Sequence, residues 1–159
     1  MDLLYHKTVS RQYFFKGTIQ TPLGISLQNR GANFSLDPES DNCLKGGKRA
    51  YHTIIPGFLL QDGEAVGPFG VMGAFMQPQG HVQVVMNLVD FHLNPQQALD
   101  APRWQWIKGK TFQVEDRFSN EIAKQLALRG HDVQVALDDV AFGRGQMILK
   151  LENGTLVGG

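Results

Sequence analysis

Cysteine is all but missing from this chain: Cys43 is the single one in 159 residues. That excludes an internal disulfide framework and fits a reducing compartment. An excess of either charge is missing too. Fifteen Lys and Arg balance fifteen Asp and Glu, so nucleic acid, which asks for clustered basic side chains, is not an expected partner. No apolar run approaches the roughly 20 residues that cross a bilayer, so no membrane partner is expected. The stretch from Met1 to Phe15 has no continuous apolar core and no small-residue cleavage site, unlike a signal peptide. A cytoplasmic location is the expectation.

Familiar catalytic motifs are absent as well. There is no Gly-x-Ser-x-Gly elbow, no Walker loop and no His-Glu-x-x-His zinc helix. His6, His52, His81, His92 and His131 lack metal-ligand spacing. No metal is therefore expected. Cys43 lies in a polar stretch without a basic neighbour to lower its pKa, which makes it a poor nucleophile.

What the chain has in quantity is glycine, 18 residues, concentrated between Gly63 and Gly73. Glycine serves where backbone turns or approaches something closely, so this stretch suits tight turns and equally an active-site rim. Leu23 to Leu27 reads as a short strand, followed by a polar loop from Asn29 to Lys48. Thr53 to Leu60 and Ala65 to Gly73 read as strands around Gln61-Asp62-Gly63, a hairpin signal. Val82, Val85, Met86 and Val89 recur at helical spacing and predict an amphipathic helix with that face inward. Asn94-Pro95 has the form of an N-cap opening a short helix through Leu99.

Arg103 to Ile107 and Thr111 to Glu115 then flank Gly109 as a second hairpin. A helix is expected over Phe118 to Arg129, capped by Gly130. Asp132 to Leu137 and Gln146 to Leu151 finish as strands, with Asn153-Gly154 as a hairpin turn. The order predicts an α+β layered domain over 17–159 rather than a βαβ parallel sheet. Residues 1–16 are harder to place: Tyr13, Phe14 and Phe15 form an apolar knot that needs a partner.

Six blocks stand out for their order and spacing. They are Leu27-Gln28-Asn29-Arg30-Gly31-Ala32-Asn33-Phe34, Gly47 through Pro56, Gly70-Val71-Met72-Gly73-Ala74-Phe75, Ala98 through Arg103, Gly130-His131, and Gly143-Arg144-Gly145-Gln146. Together, from about Gly17 to Gly159, they resemble the small catalytic subunit of γ-glutamyltranspeptidases. The resemblance implies part of an αββα N-terminal-nucleophile hydrolase. It also implies acyl transfer from a small-molecule amide, γ-glutamyl or another acyl group, to water or an amine, with no cofactor, since side chains and backbone dipoles carry that chemistry.

In that family a threonine freed by self-cleavage attacks, with its own α-amino group as base, because an unassisted hydroxyl is a poor nucleophile. The resemblance assigns the oxyanion hole to Gly73 and Ala74, and substrate contacts to Asn29, Arg30, Asn33, His52 and Thr53. Asn33 replaces an aspartate that holds the substrate's α-ammonium. His52 and Thr53 replace two serines at the substrate carboxylate, and Arg30 replaces a neutral polar residue. Arg103, before Trp104-Gln105-Trp106, reads as a structural anchor that stacks on indole.

No Thr-Thr-His-like stretch precedes the first block, and internal Thr8 is a poor substitute. The expected partner is a missing large subunit, or a second copy of the chain. The alternative is a non-catalytic remnant serving as a binding module.

Overall fold

The computed structural model describes residues 30–159, which fall in two compact units divided between Ile54 and Ile55. Asn29, Thr8, the segment 1–16 and the expected strand Leu23 to Leu27 lie outside the described residues. The described residues of the first unit are built from turns. A 3-10 turn spans Arg30–Asn33, and Ser35 pairs with Cys43 in an isolated bridge. Asp37 Oδ1 accepts from the Glu39 amide at 3.0 Å and Ser40 Oγ from the Asn42 amide at 3.2 Å. Short polar side chains thus replace regular ladders, as Asx- and Ser-turns do. Cys43 is buried, an outcome the polar surrounding sequence did not suggest.

The second unit carries two sheets. Strands β1 (Gly57–Gln61) and β2 (Glu64–Val71) form the expected hairpin around Asp62-Gly63, and β6 (Gly145–Lys150) and β7 (Leu156–Gly158) extend it. The order is β1-β2-β6-β7, antiparallel throughout. The second sheet has the order β3-β4-β5, from Trp104–Lys108, Thr111–Val114 and Asp132–Val135. Its β4–β5 pair is parallel, with helix α3 (Asn120–Leu128) in the connection. One βαβ crossover therefore exists within the α+β arrangement, which the sequence pattern did not predict. Parallel neighbours need a crossover, and only α3 is placed to supply it.

Helix α1 (Gln77–Val89) lies on the first sheet, and α2 (Pro95–Asp100) follows with the predicted Asn94 cap: Asn94 Oδ1 accepts from the Gln97 amide at 2.9 Å. Val84 of α1 and Leu99 of α2 pack on Val71 and Met147, with Phe69, Leu88 and Leu149 at the margin. Each such side chain contributes about 1.5–3 kcal/mol by leaving water. The opposite sheet face exposes Phe58, Ile148 and Leu156. Helices on one face and bare apolar side chains on the other make this half of a layered sandwich.

The inward face of α1 differs from the one predicted. Val82, Met86 and Val89 are exposed, and Gln77, Gly80, Gln83 and Val84 are buried. The reason is a polar seam. Gln83 Nε2 donates to the Trp104 carbonyl at 2.8 Å, and the Trp104 amide donates to Gln83 Oε1 at 3.0 Å. One turn earlier, Gln79 makes the same exchange with Trp106, at 3.2 and 2.7 Å. Side chains four apart on a helix share a face, and residues two apart on a strand share an edge. Two glutamines thus act as a further strand for the free edge of β3, which would otherwise leave its amides and carbonyls unpaired.

Two predictions follow from this seam and the histidine beside it. Gln83→Leu is expected to lower unfolding free energy by about 1 kcal/mol, because it strands the amide and carbonyl of half-buried Trp104; urea unfolding measures this. His81 Nε2 accepts from the Val71 amide at 2.9 Å, and burial lowers its pKa below the ordinary 6.5. As pH falls, the unfolded chain takes the proton first. The contribution of His81 is therefore complete above about pH 6.5 and declines toward the lower folded pKa. Against wild type, His81→Gln should flatten the stability loss between pH 7 and 5.5. Parallel slopes would refute it.

Candidate active site

Strand β2 ends at Val71 and the chain turns through Gly73 and Ala74 into a 3-10 turn, Ala74–Met76, that runs directly into α1. Gly73 has φ 140° and ψ 26°; Ala74 has φ 51°. Left-handed backbone costs a non-glycine residue roughly 1–2 kcal/mol, and such strain persists only where the surroundings over-determine it. The surroundings here are explicit. The Met76 amide closes back on the Gly73 carbonyl at 2.9 Å, and the Met72 amide donates to the Arg144 carbonyl at 2.9 Å. Met76 also packs with Phe142 and Ala136, all three buried.

Among the described residues, the amides of Gly73 and Ala74 donate to no acceptor. Two adjacent unused N–H groups at the entrance to a 13-residue helix have the composition of an anion site, since helix N-termini carry partial positive charge. A Cβ on buried Gly73 would lie at ordinary contact distance, 3.6 Å, from both Gly143 Cα and Met76 Cβ, so the turn rests on a floor.

That floor is the loop before β6. Gly143 has φ 69°, and a Cβ there would fall 1.6 Å from the Met72 carbonyl oxygen; only glycine fits. Arg103, buried rather than stacked on indole, ends in this loop. Its guanidinium donates to the Leu99 carbonyl at 2.6 Å and to the Gly143 carbonyl at 3.3 Å. Glu115 lies 3.8 Å from the same guanidinium and accepts from the Arg103 amide at 3.1 Å. Burial lowers the arginine pKa while Glu115 opposes the shift, and an arginine so placed keeps its charge. The sequence marked Gly143-Arg144-Gly145 and Arg103 as blocks but gave no sign that they meet.

The other predicted residues lie in the first unit. Arg30 Nε donates to Thr53 Oγ1 at 2.9 Å, which joins two of them, and Thr53 is buried. Asn33 is half-buried, with its carbonyl held by Asn42 Nδ2 at 2.7 Å. His52 is exposed. Among the described residues no three His, Cys, Asp or Glu side chains could hold a metal ion together, and no helix is long and apolar enough to cross a membrane.

Comparison with known proteins decides the lineage: residues 8–159 match the family described as gamma-glutamyltranspeptidase. The chain belongs to that family. It is 36% identical over 157 residues to the glutathione hydrolase-like YwrD proenzyme of Bacillus subtilis, covering 92% of this chain and 30% of that protein. Against the oxamate amidohydrolase proenzyme of Klebsiella pneumoniae it is 32% identical over 163 residues, covering 98% and 29%. The crystal structure of cephalosporin acylase from Bacillus halodurans superposes with a TM-score of 0.80 at 64% identity, over 86% of this chain and 26% of that one. The chain thus spans about 30% of the length of the curated relatives it matches, and those relatives are proenzymes.

Replacing Ala74 by glycine tests the strain directly. Ala74→Gly should be neutral or stabilising by up to about 1 kcal/mol, whereas Ala123→Gly in α3 should cost about that much. Thermal unfolding of both variants checks the contrast. Equal losses would mean that Ala74 is not held in the left-handed region.

Proposed function

We propose that this chain supplies the oxyanion site of an N-terminal-nucleophile amidohydrolase, whose substrate is an amide with a carboxylate on its acyl group and no α-ammonium. The observation that carries the reaction class is the pair of unused amides on the strained Gly73–Ala74 turn, within a chain of the gamma-glutamyltranspeptidase family. Attack of a hydroxyl on the amide carbonyl puts negative charge on its oxygen. Two N–H groups fixed beforehand stabilise that charge without reorganising, and one such donor contributes roughly 3 kcal/mol to the barrier reduction. Collapse expels the amine and leaves an acyl ester, which water or a second amine then takes. The nucleophile is the threonine that the family frees by self-cleavage, and the partner is the preceding portion of the proenzyme together with that threonine segment.

The substrate class is supported by residue types. Arg30, bonded to Thr53, is a residue type that pairs with carboxylates. Asn33 accepts hydrogen bonds but brings no negative charge, so it favours an acyl group without an ammonium. Oxamate, which the Klebsiella relative's name gives as its substrate, has a carboxylate beside its amide and no ammonium.

Release of p-nitroaniline from glutaryl- and γ-glutamyl-p-nitroanilide tests the reading, with the chain alone and combined with the upstream portion of a relative that carries the threonine segment. Only the combination should turn over, and the glutaryl compound should be preferred. Asn33→Asp should then raise kcat/KM for the γ-glutamyl compound about tenfold, some 1.4 kcal/mol. A wild-type preference for γ-glutamyl would refute the substrate class. Silence from every combination would favour a non-catalytic binding module.

A further inference from the structure

Arg103 is a buried cation whose one ion pair among the described residues is with Glu115, which Arg117 also approaches at the surface. A buried ion pair of this kind gives little net stability, because desolvation offsets the Coulomb attraction, and apolar replacements are often as stable. Its Nε has no partner among the described residues, so the group is not fully satisfied even here. What the guanidinium does uniquely is geometric. From one planar fork it reaches two carbonyls 44 positions apart in the chain, Leu99 at the end of α2 and Gly143 below the turn.

The path from there to the turn is short. Gly143 Cα lies against the Met72 carbonyl and Gly73 Cα, closer than any side chain would allow. Arg144, the next residue, accepts the Met72 amide. Moving the Gly143 carbonyl therefore moves the floor under Gly73, and nothing else charged or polar holds that carbonyl among the described residues.

We propose that Arg103 is a positioning residue for the Gly73–Ala74 turn, acting through the Gly143 carbonyl, with Glu115 fixing the guanidinium from behind. Its effect on turnover rests on the oxyanion reading above; its effect on the turn does not. Lysine at this position keeps the charge but has no fork, so it can hold one of the two carbonyls and not both.

The test compares wild type, Arg103→Lys and Ala123→Gly, the last as a variant destabilised in α3, away from the turn. Amide hydrogen exchange is read at Met72 and Met76, whose hydrogen bonds bracket the turn, and at Leu59 in β1 as reference. Arg103→Lys should speed exchange at Met72 and Met76 about tenfold relative to Leu59, and Ala123→Gly should not. Exchange at all three amides rising together, or Met72 and Met76 unchanged, would overturn the proposal. Should Arg103→Lys fail to fold, Glu115→Gln keeps an acceptor for the Arg103 amide and should give the same selective signature at smaller size; uniform exchange there would overturn it equally.

The p-nitroanilide assay on the complemented protein adds a second readout. Arg103→Lys should lower kcat at least tenfold with KM within twofold. Selective exchange with kcat unchanged would keep Arg103 as the support of the turn and remove the oxyanion role from Gly73 and Ala74.

Discussion

At Gly143 the backbone passes beneath the Met72–Gly73 peptide so closely that a single methyl group would occupy the space of the Met72 carbonyl oxygen. The candidate site depends on this contact. It lets β6 pair with the end of β2, through Val71 and Gly145, while the chain beyond β2 still turns sharply into α1. It also transmits the position of the loop to a turn whose residues could not hold their own conformation. Ala74 in the left-handed region is tolerated because Met76, Phe142 and Ala136 are packed on one side and Gly143 on the other.

Around that contact, polar groups are arranged to satisfy backbone rather than one another. Gln79 and Gln83 close the free edge of β3, Arg103 gathers the carbonyls of Leu99 and Gly143, and His81 accepts the last amide of β2. Each is a side chain doing what a neighbouring strand or a water would do elsewhere. The consequence is that α1, β3 and the loop before β6 are fixed by directional bonds, and the amides of Gly73 and Ala74 are left over at their junction. A site that needs donors fixed before the reaction is served by such rigidity.

Much of this was legible in the sequence, and the parts that were not share a cause. The hairpin at Asp62-Gly63, the Asn94 cap, the strand pair around Gly109 and α3 before Gly130 all rest on local chemistry, and all are present. The inward face of α1 was misjudged because Val82, Met86 and Val89 form a regular apolar stripe, whereas the face that is buried is held by glutamines reaching a strand 21 and 27 positions away. Arg103 was read by its tryptophan neighbours, since its true partner, Gly143, lies 40 positions on. The parallel β4–β5 pair is equally non-local. Gly73 and Ala74 were reached through family resemblance, and the structure adds why that turn keeps its shape. Arg30 and Thr53 were grouped by the same resemblance, and their hydrogen bond joins them.

The paired amides are the central claim, and removing one N–H without touching any side chain tests it most directly. Semisynthesis can replace the peptide bond between Gly73 and Ala74 by an ester, which deletes the Ala74 N–H and keeps every other atom of the turn in place. With the complemented protein and its preferred anilide, kcat should fall about 10²–10³-fold while unfolding midpoint and KM stay near their original values. An unchanged kcat would contradict the assignment of the oxyanion site to this turn.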